Sequence, residues 1–215
     1  MNYRLVVFDW DGTIIDSAST IAECIRDASR ELGLEVPDTE RARHVIGLGL
    51  HDAMRIAVPG LPAQRYPEFV AAYRKHFVAR KDAMQLFDGM RPLLEHLSST
   101  HLLAIATGKS RAGLDRDLEF HGLKPVFAAS RCADETSPKP HPAMLVELME
   151  ELDIQKSASL MIGDTSHDLE MARAAQVDAL AVTYGAHAEE GLRACQPLAC
   201  FSTVTELQQW LSANG

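Results

Sequence analysis

The sequence predicts an α/β protein, a doubly wound and mostly parallel sheet with a helical segment inserted after the first strand. Three observations carry this expectation. Four short, continuous apolar runs, LVVFD at 5–9, LLAIAT at 102–107, SLMIGD at 159–164 and ALAVTY at 179–184, read as strands buried on both faces. Amphipathic stretches lie between the later runs, as a sheet covered by helices requires. From about residue 16 to residue 84 no strand is evident, and helical periodicity takes over.

Taken in chain order, the first strand ends at Asp9 and the chain turns at Gly12. Ser17 is placed to cap a helix running to Gly33. Pro37, the loop Gly47-Leu48-Gly49 and the turn VPGLP at 58–62 punctuate the segment beyond that helix. EFVAAYRKHFVARKD at 68–82 sets Phe69, Ala72, Tyr73, His76 and Phe77 on one helical face. The chain returns to the sheet near Phe87-Asp88-Gly89, RAGLDRDLEFHG closes as a helix at Gly122, and HPAMLVELMEELD opens one with Pro142 near its first position. The expected division is an α/β core domain at 1–15 and 86–215 with a helical domain at 16–85. No internal repeat or low-complexity tract is evident.

With 215 residues, 47% hydrophobic and 24% charged, the chain can bury roughly 70% of its unfolded surface around one main core and a smaller second unit. A net charge of -9 disfavours nonspecific attraction to nucleic acid or anionic lipid, so an anionic substrate needs a metal or a few placed cations. Cys24, Cys132, Cys195 and Cys200 form no CxxC pair and read as free thiols of a reducing compartment. The start, Met1-Asn2-Tyr3-Arg4 into a short run ending at Asp9, is too short and too soon acidic for a signal peptide, and no window approaches a membrane span. A cytoplasmic protein is expected.

Ligands of such sheets bind outside the carboxyl ends of the strands. At the first end, FDWDGT, Asp9 and Asp11 stand two residues apart and project to the same side of an extended chain. An isolated Asp-Gly is an ordinary turn, but two carboxylates at a buried strand end repel and require a cation or a shared proton. GDTSHD adds Asp164 at the third strand end and Asp168 in the first turn of the next helix, where an acidic residue also suits the helix dipole. Asp9, Asp11 and Asp164 make a hard oxygen-ligand site with open positions, which suits Mg²⁺. In ATGKS, Thr107 supplies a hydroxyl and Gly108 lets backbone N–H groups approach an anion. GKS also resembles the tail of a nucleotide-binding P-loop, but Leu103 stands where that motif needs glycine.

SPKPHP at 137–142 sets Lys139 among three prolines. They fix three φ angles and push Ser137, Lys139 and His141 toward extended backbone, which restrains the lysine in advance. Prolines alone would suggest a linker, yet an amphipathic helix begins at once. Lys139 is the cation expected at this edge of the sheet.

Together these motifs resemble the haloacid dehalogenase superfamily in its phosphatase branch, most closely the phosphoglycolate-phosphatase type with a helical cap. DWDGT matches the first motif, Thr107 the second, Lys139 the third and GDTSHD the fourth, over essentially the whole chain. The resemblance implies that Asp9 attacks phosphorus and that Asp11 protonates the leaving oxygen and then activates water. It implies Mg²⁺ held by Asp9, the Asp11 backbone carbonyl and Asp164, with Asp168 as ligand or behind one. It also makes 16–85 a cap closing over the site, with Arg43 and His44, or Arg74, Lys75 and His76, as candidates for gripping the substrate. Gly108 departs from the asparagine often found there. A small phosphorylated metabolite is the expected partner, with no nucleic acid or membrane, in a monomer or homodimer. The alternatives are a phosphomutase or pyrophosphatase of the same superfamily, or a non-catalytic member that binds a protein through its cap.

Overall fold

The computed structural model describes residues 3–80 and 83–214. Met1 and Asn2, and Lys81 and Asp82 at the end of the helix expected over 68–82, lie outside the described residues.

The sheet contains β1 (Leu5–Phe8), β2 (Leu102–Thr107), β3 (Ala129–Cys132), β4 (Ser159–Gly163), β5 (Asp178–Val182) and β6 (Ala199–Phe201). All pairings are parallel, in the order β3-β2-β1-β4-β5-β6. The order reverses at β1, so the crevice for a ligand opens at the carboxyl ends of β1, β2 and β4. Phe8 stands beside Ile105 and Ile162 in register, which brings Asp9, Thr107 and Asp164 to one edge.

Alternate residues of β1 feed two different cores, which is why the strand reads as continuously apolar. Val6 and Phe8 pack with residues of α5 (Met90–Leu97), α6 (Arg111–Phe120) and α10 (Val204–Asn214). Leu5 and Val7 pack on the opposite face with α7 (Ala143–Glu151) and α8 (Ser166–Ala175). The four expected strands form. β3 and β6 were not expected, and both are short and only partly buried.

The helical segment comprises α1 (Ala18–Glu31), α2 (Thr39–His44), α3 (Leu50–Ala57) and α4 (Tyr66–Arg80). It buries a core of its own, including Ile21, Ile25, Ile46, Met54 and Phe69, with α1 lying along α4. The chain leaves and re-enters the sheet at adjacent points: Asp16 N donates to Gln85 O at 2.9 Å and Phe87 N to Ile14 O at 3.1 Å. α9 (Glu189–Ala194) packs beside β6. Ser17 stands at the start of α1, but its side chain makes no capping bond; its hydroxyl donates to Asp11 Oδ1 at 2.8 Å instead.

Candidate active site

Beyond the strand ends lies a cavity of about 410 Å³ whose floor includes Asp9, Asp11, Thr107 and Gly108. Asp9, Thr107, Asp164 and Asp168 are all fully buried, an arrangement that apolar strand ends tolerate only with partners at hand.

The deepest partner is Lys139, whose Nζ lies 2.7 Å from Asp9 Oδ1 and 2.6 Å from Asp168 Oδ1. Lys139 sits in a tight turn, with a cis peptide to Pro140 and His141 N donating to Pro138 O at 3.0 Å. The expected restraint by the prolines is therefore a turn rather than a run of extended residues. Burial works against the ammonium, but Asp168 and Asp9 outweigh it and hold Lys139 above the usual lysine range.

Asp164 is wedged between backbone rather than paired with a lysine. Its Oδ1 accepts from Thr13 Oγ1 and its Oδ2 from Ala186 N, both at 2.7 Å. A Cβ on Gly12 or Gly185 would collide with this carboxylate, and Gly12 also has a φ of +83°. Asp168 closes a capping box at the start of α8: Thr165 N and Oγ1 donate to its Oδ2 at 3.0 and 2.7 Å. The helix-terminal role expected of Asp168 and its contact with Lys139 thus coexist on separate oxygens.

Asp9, Asp164 and Asp168 each bring a carboxylate oxygen within 4.8 Å of the others, all buried. Three carboxylates face one ammonium. Burial raises Asp9 well above the usual carboxylate range against the pull of Lys139, and burial together with the Asp168 charge pushes Asp164 up to about 7. Asp9 Oδ2 is buried and has no hydrogen-bond partner. A divalent, oxygen-seeking cation fits this donor set and its surplus negative charge.

Asp11 takes a separate cation. Lys109 Nζ lies 3.1 Å from both of its oxygens and 3.0 Å from Asp117, which also accepts from Trp10 Nε1 at 3.2 Å. The repulsion between Asp9 and Asp11 is thus relieved by two lysines rather than by one shared cation. Phe77 of α4 covers Lys109, its ring centroid 4.9 Å from Nζ. The sequence does not single out Lys109 and Asp117; the one signal it carries is a lysine two residues after a strand-end threonine.

Thr107 Oγ1 accepts from Lys109 N at 3.2 Å. Gly108 is required by its neighbours, for a Cβ there would stand 2.5 Å from Gly47 O and 2.6 Å from Leu48 O. Arg43 and His44 are not among the residues lining the cavity. Arg43 donates from Nε to Ala186 O at 3.0 Å and from its terminal nitrogen to Gly185 O. The His44 carbonyl accepts from Nε2 of His167 at 2.8 Å and of His187 at 3.0 Å. These two residues fasten α2 to the loop after β5. Of the other cap candidates, Arg74 lines the cavity, whereas Lys75 and His76 both pair with Glu31.

The model of the haloacid dehalogenase-like hydrolases matches residues 6–182. "Probable phosphatase IndB" of Dickeya dadantii is 33% identical over 94% of this chain and 91% of its own. Tyrosine-protein kinase PtkA of Mycobacterium tuberculosis is 34% identical over 85% of this chain, which spans only 62% of that protein. Phosphoglycolate phosphatase of Colwellia psychrerythraea is 27% identical over 95% of each chain. Among solved structures, a haloacid dehalogenase-like family hydrolase of Streptococcus pneumoniae superposes with a TM-score of 0.82 at 26% identity, covering 97% of this chain and 98% of that one.

Proposed function

The chain belongs to the haloacid dehalogenase-like hydrolases, and from that premise we propose that it is a phosphatase that hydrolyses small phosphomonoesters through an aspartyl phosphate, with Mg²⁺ as cofactor. The observation that carries the reading is Asp9: a buried carboxylate on a cavity floor, one oxygen 2.7 Å from Lys139 and the other without a hydrogen-bond partner. Relatives named as phosphatases support it.

In the first step Asp9 Oδ2 bonds to phosphorus while the bond from phosphorus to the ester oxygen breaks. The leaving oxygen keeps the electron pair and takes a proton from Asp11, which enters this step as the neutral acid with its ion pair to Lys109 opened. In the second step Asp11, now a carboxylate, takes a proton from water as the water oxygen bonds to phosphorus, and the bond to Asp9 breaks to release phosphate. Lys139 and the Thr107 hydroxyl answer the negative phosphoryl oxygens, and Asp168 acts by holding Lys139. Asp9, Asp164 and the Asp11 backbone carbonyl would hold Mg²⁺, whose charge would offset that of the phosphoryl oxygens.

Residues 16–85 serve as a cap on the core formed by 1–15 and 86–215, excluding water from the reacting groups. We place the protein in the cytoplasm, acting on a small phosphorylated metabolite as a monomer or homodimer; its four free thiols support a reducing compartment. No helix among the described residues is long and apolar enough to cross a membrane.

The test is phosphate release from a generic aryl phosphate with and without Mg²⁺. The unaltered protein should turn over only with the metal, and Asp9→Asn should fold normally yet lose about 10⁴-fold in kcat. Turnover retained by Asp9→Asn would remove the covalent mechanism.

A further inference from the structure

Taking Asp9 and Asp11 as the reacting groups, the cavity above them also defines what leaves. At about 410 Å³ the cavity lies near the lower end of the roughly 300–1,000 Å³ typical of small-molecule sites, enough for a phosphoryl group and a compact leaving group. The wall facing the strand ends is apolar: Ile21, Ile25, Val45, Leu48, Met54 and Phe77 line it from the helical segment. The charged and imidazole groups that α3 and α4 contribute, His51, Asp52 and Arg74, are exposed or half-buried and mark the rim.

Lys109, Ser110, Arg116 and Asp134 line the cavity on the side of the sheet, so a polar leaving group has partners only there; the groups it turns to the apolar wall give up water unpaired, at about 1–3 kcal/mol each. An aromatic ring gains roughly 25 cal/mol for each Å² it buries. Tyr73 and Phe77, with ring centroids 5.9 Å apart, both line the cavity and give such a ring faces and edges to pack on.

We propose that the substrates of this site are phosphomonoesters whose leaving group is a compact aromatic ring system, in preference to phosphorylated sugars or carboxylates. The preference rests on the phosphatase reading above, and it is measured so that each can fail alone. With Mg²⁺ present, kcat/KM is compared for 1-naphthyl phosphate, phosphoglycolate and glucose 6-phosphate. The aromatic ester should lead by about 100-fold. Equal values, or phosphoglycolate or glucose 6-phosphate ahead, would overturn the substrate class while leaving a phosphatase.

Binding separates the two claims. Titration of Asp9→Asn with the same three compounds by calorimetry should show 1-naphthyl phosphate bound at least about tenfold more tightly than either polar ester. That outcome without turnover in the unaltered protein would keep the ligand class and sink the hydrolysis; no preference would sink the ligand class. Phe77→Ala, checked for folding by its thermal melt, should reduce the ratio of kcat/KM for the naphthyl ester over phosphoglycolate by about tenfold, chiefly through KM. An unchanged ratio in the folded variant would also overturn the assignment.

Discussion

Two buried lysines each bridge a pair of aspartates in this molecule, and they differ in depth. Lys139 joins Asp9 to Asp168 with all three side chains at most 1% exposed, whereas Lys109 joins Asp11 to Asp117 at 10–18%. The deep group is built wholly from segments of the sheet and its flanking helices: strand end, proline turn and the first turn of α8. The upper group is roofed by Phe77 of α4, so its surroundings include the helical segment. The difference separates a fixed charge array for the phosphoryl group from one whose dielectric changes if α4 moves. Coulomb attraction rises steeply as water leaves, so the upper group is the one that closure would strengthen.

Lys139→Ala is expected to have the largest effect. Phosphate release should fall by about 10³-fold. Denaturant unfolding should also show a loss of about 3–5 kcal/mol, because two buried carboxylates lose their counter-charge. The proline-set loop by itself suggests little effect on stability; full burial of the ammonium reverses that expectation. Lys109→Met keeps the alkyl stem and should lower kcat about tenfold and stability by about 1–3 kcal/mol. If it lost as much as Lys139→Ala in both assays, the two groups would have to be one network.

Metal addition should act through the carboxylates of Asp9 and Asp164, with a pH dependence of fixed sign. Asp164 is raised from 3.8 to about 7, so between those values the metal-free fold keeps a proton that the unfolded chain has released. Its stability therefore falls as pH rises through that window, and the carboxylate becomes free for a cation at the top of it. Saturating Mg²⁺ should raise Tm by about 5 °C at pH 8 and by less than about 1 °C at pH 5. Equal shifts at both values would detach the metal from Asp164. The last change, Gly108→Ala, forces backbone to move, because its Cβ would stand 2.5 Å from the Gly47 carbonyl oxygen and 2.6 Å from that of Leu48. Displacing that loop should raise KM about tenfold, with a smaller loss in kcat.

The sequence discloses the deep group well because each member stands at an abrupt change of character. Asp9 and Asp164 end apolar runs, and Lys139 interrupts prolines. The upper group has no such contrast: Asp117 is one of several charges on α6, and Lys109 acquires its meaning only from the partners that folding brings to it, Asp11, Asp117 and Phe77. β3 and β6 escape for a related reason. They lie at the sheet's two edges, β3 carries Ser130 and Arg131, and neither has the length that makes an apolar run conspicuous. Ser17 follows local preference as far as position, at the head of α1, but a carboxylate within reach takes its hydroxyl. Arg43 and His44 illustrate the limit for basic residues beside a glycine turn: the Arg43 guanidinium is taken up by the Gly185 and Ala186 carbonyls, and His44 acts through its own carbonyl, which accepts from His167 and His187, while its ring packs against theirs.

The side-by-side passages at Ile14–Asp16 and Gln85–Phe87 bear on how the molecule assembles. To the sheet, everything between them is a closed loop, and the entropy of closing a loop grows only with the logarithm of its length, by about 0.6 kcal/mol for each doubling. Lengthening that loop from a short turn to four helices is about four doublings and so costs the sheet only about 2.5 kcal/mol of closure entropy, which the segment's own core helps to offset. Four helices with a core of their own could be exchanged for others through two neighbouring junctions, leaving the phosphoryl machinery intact while the choice of leaving group changes.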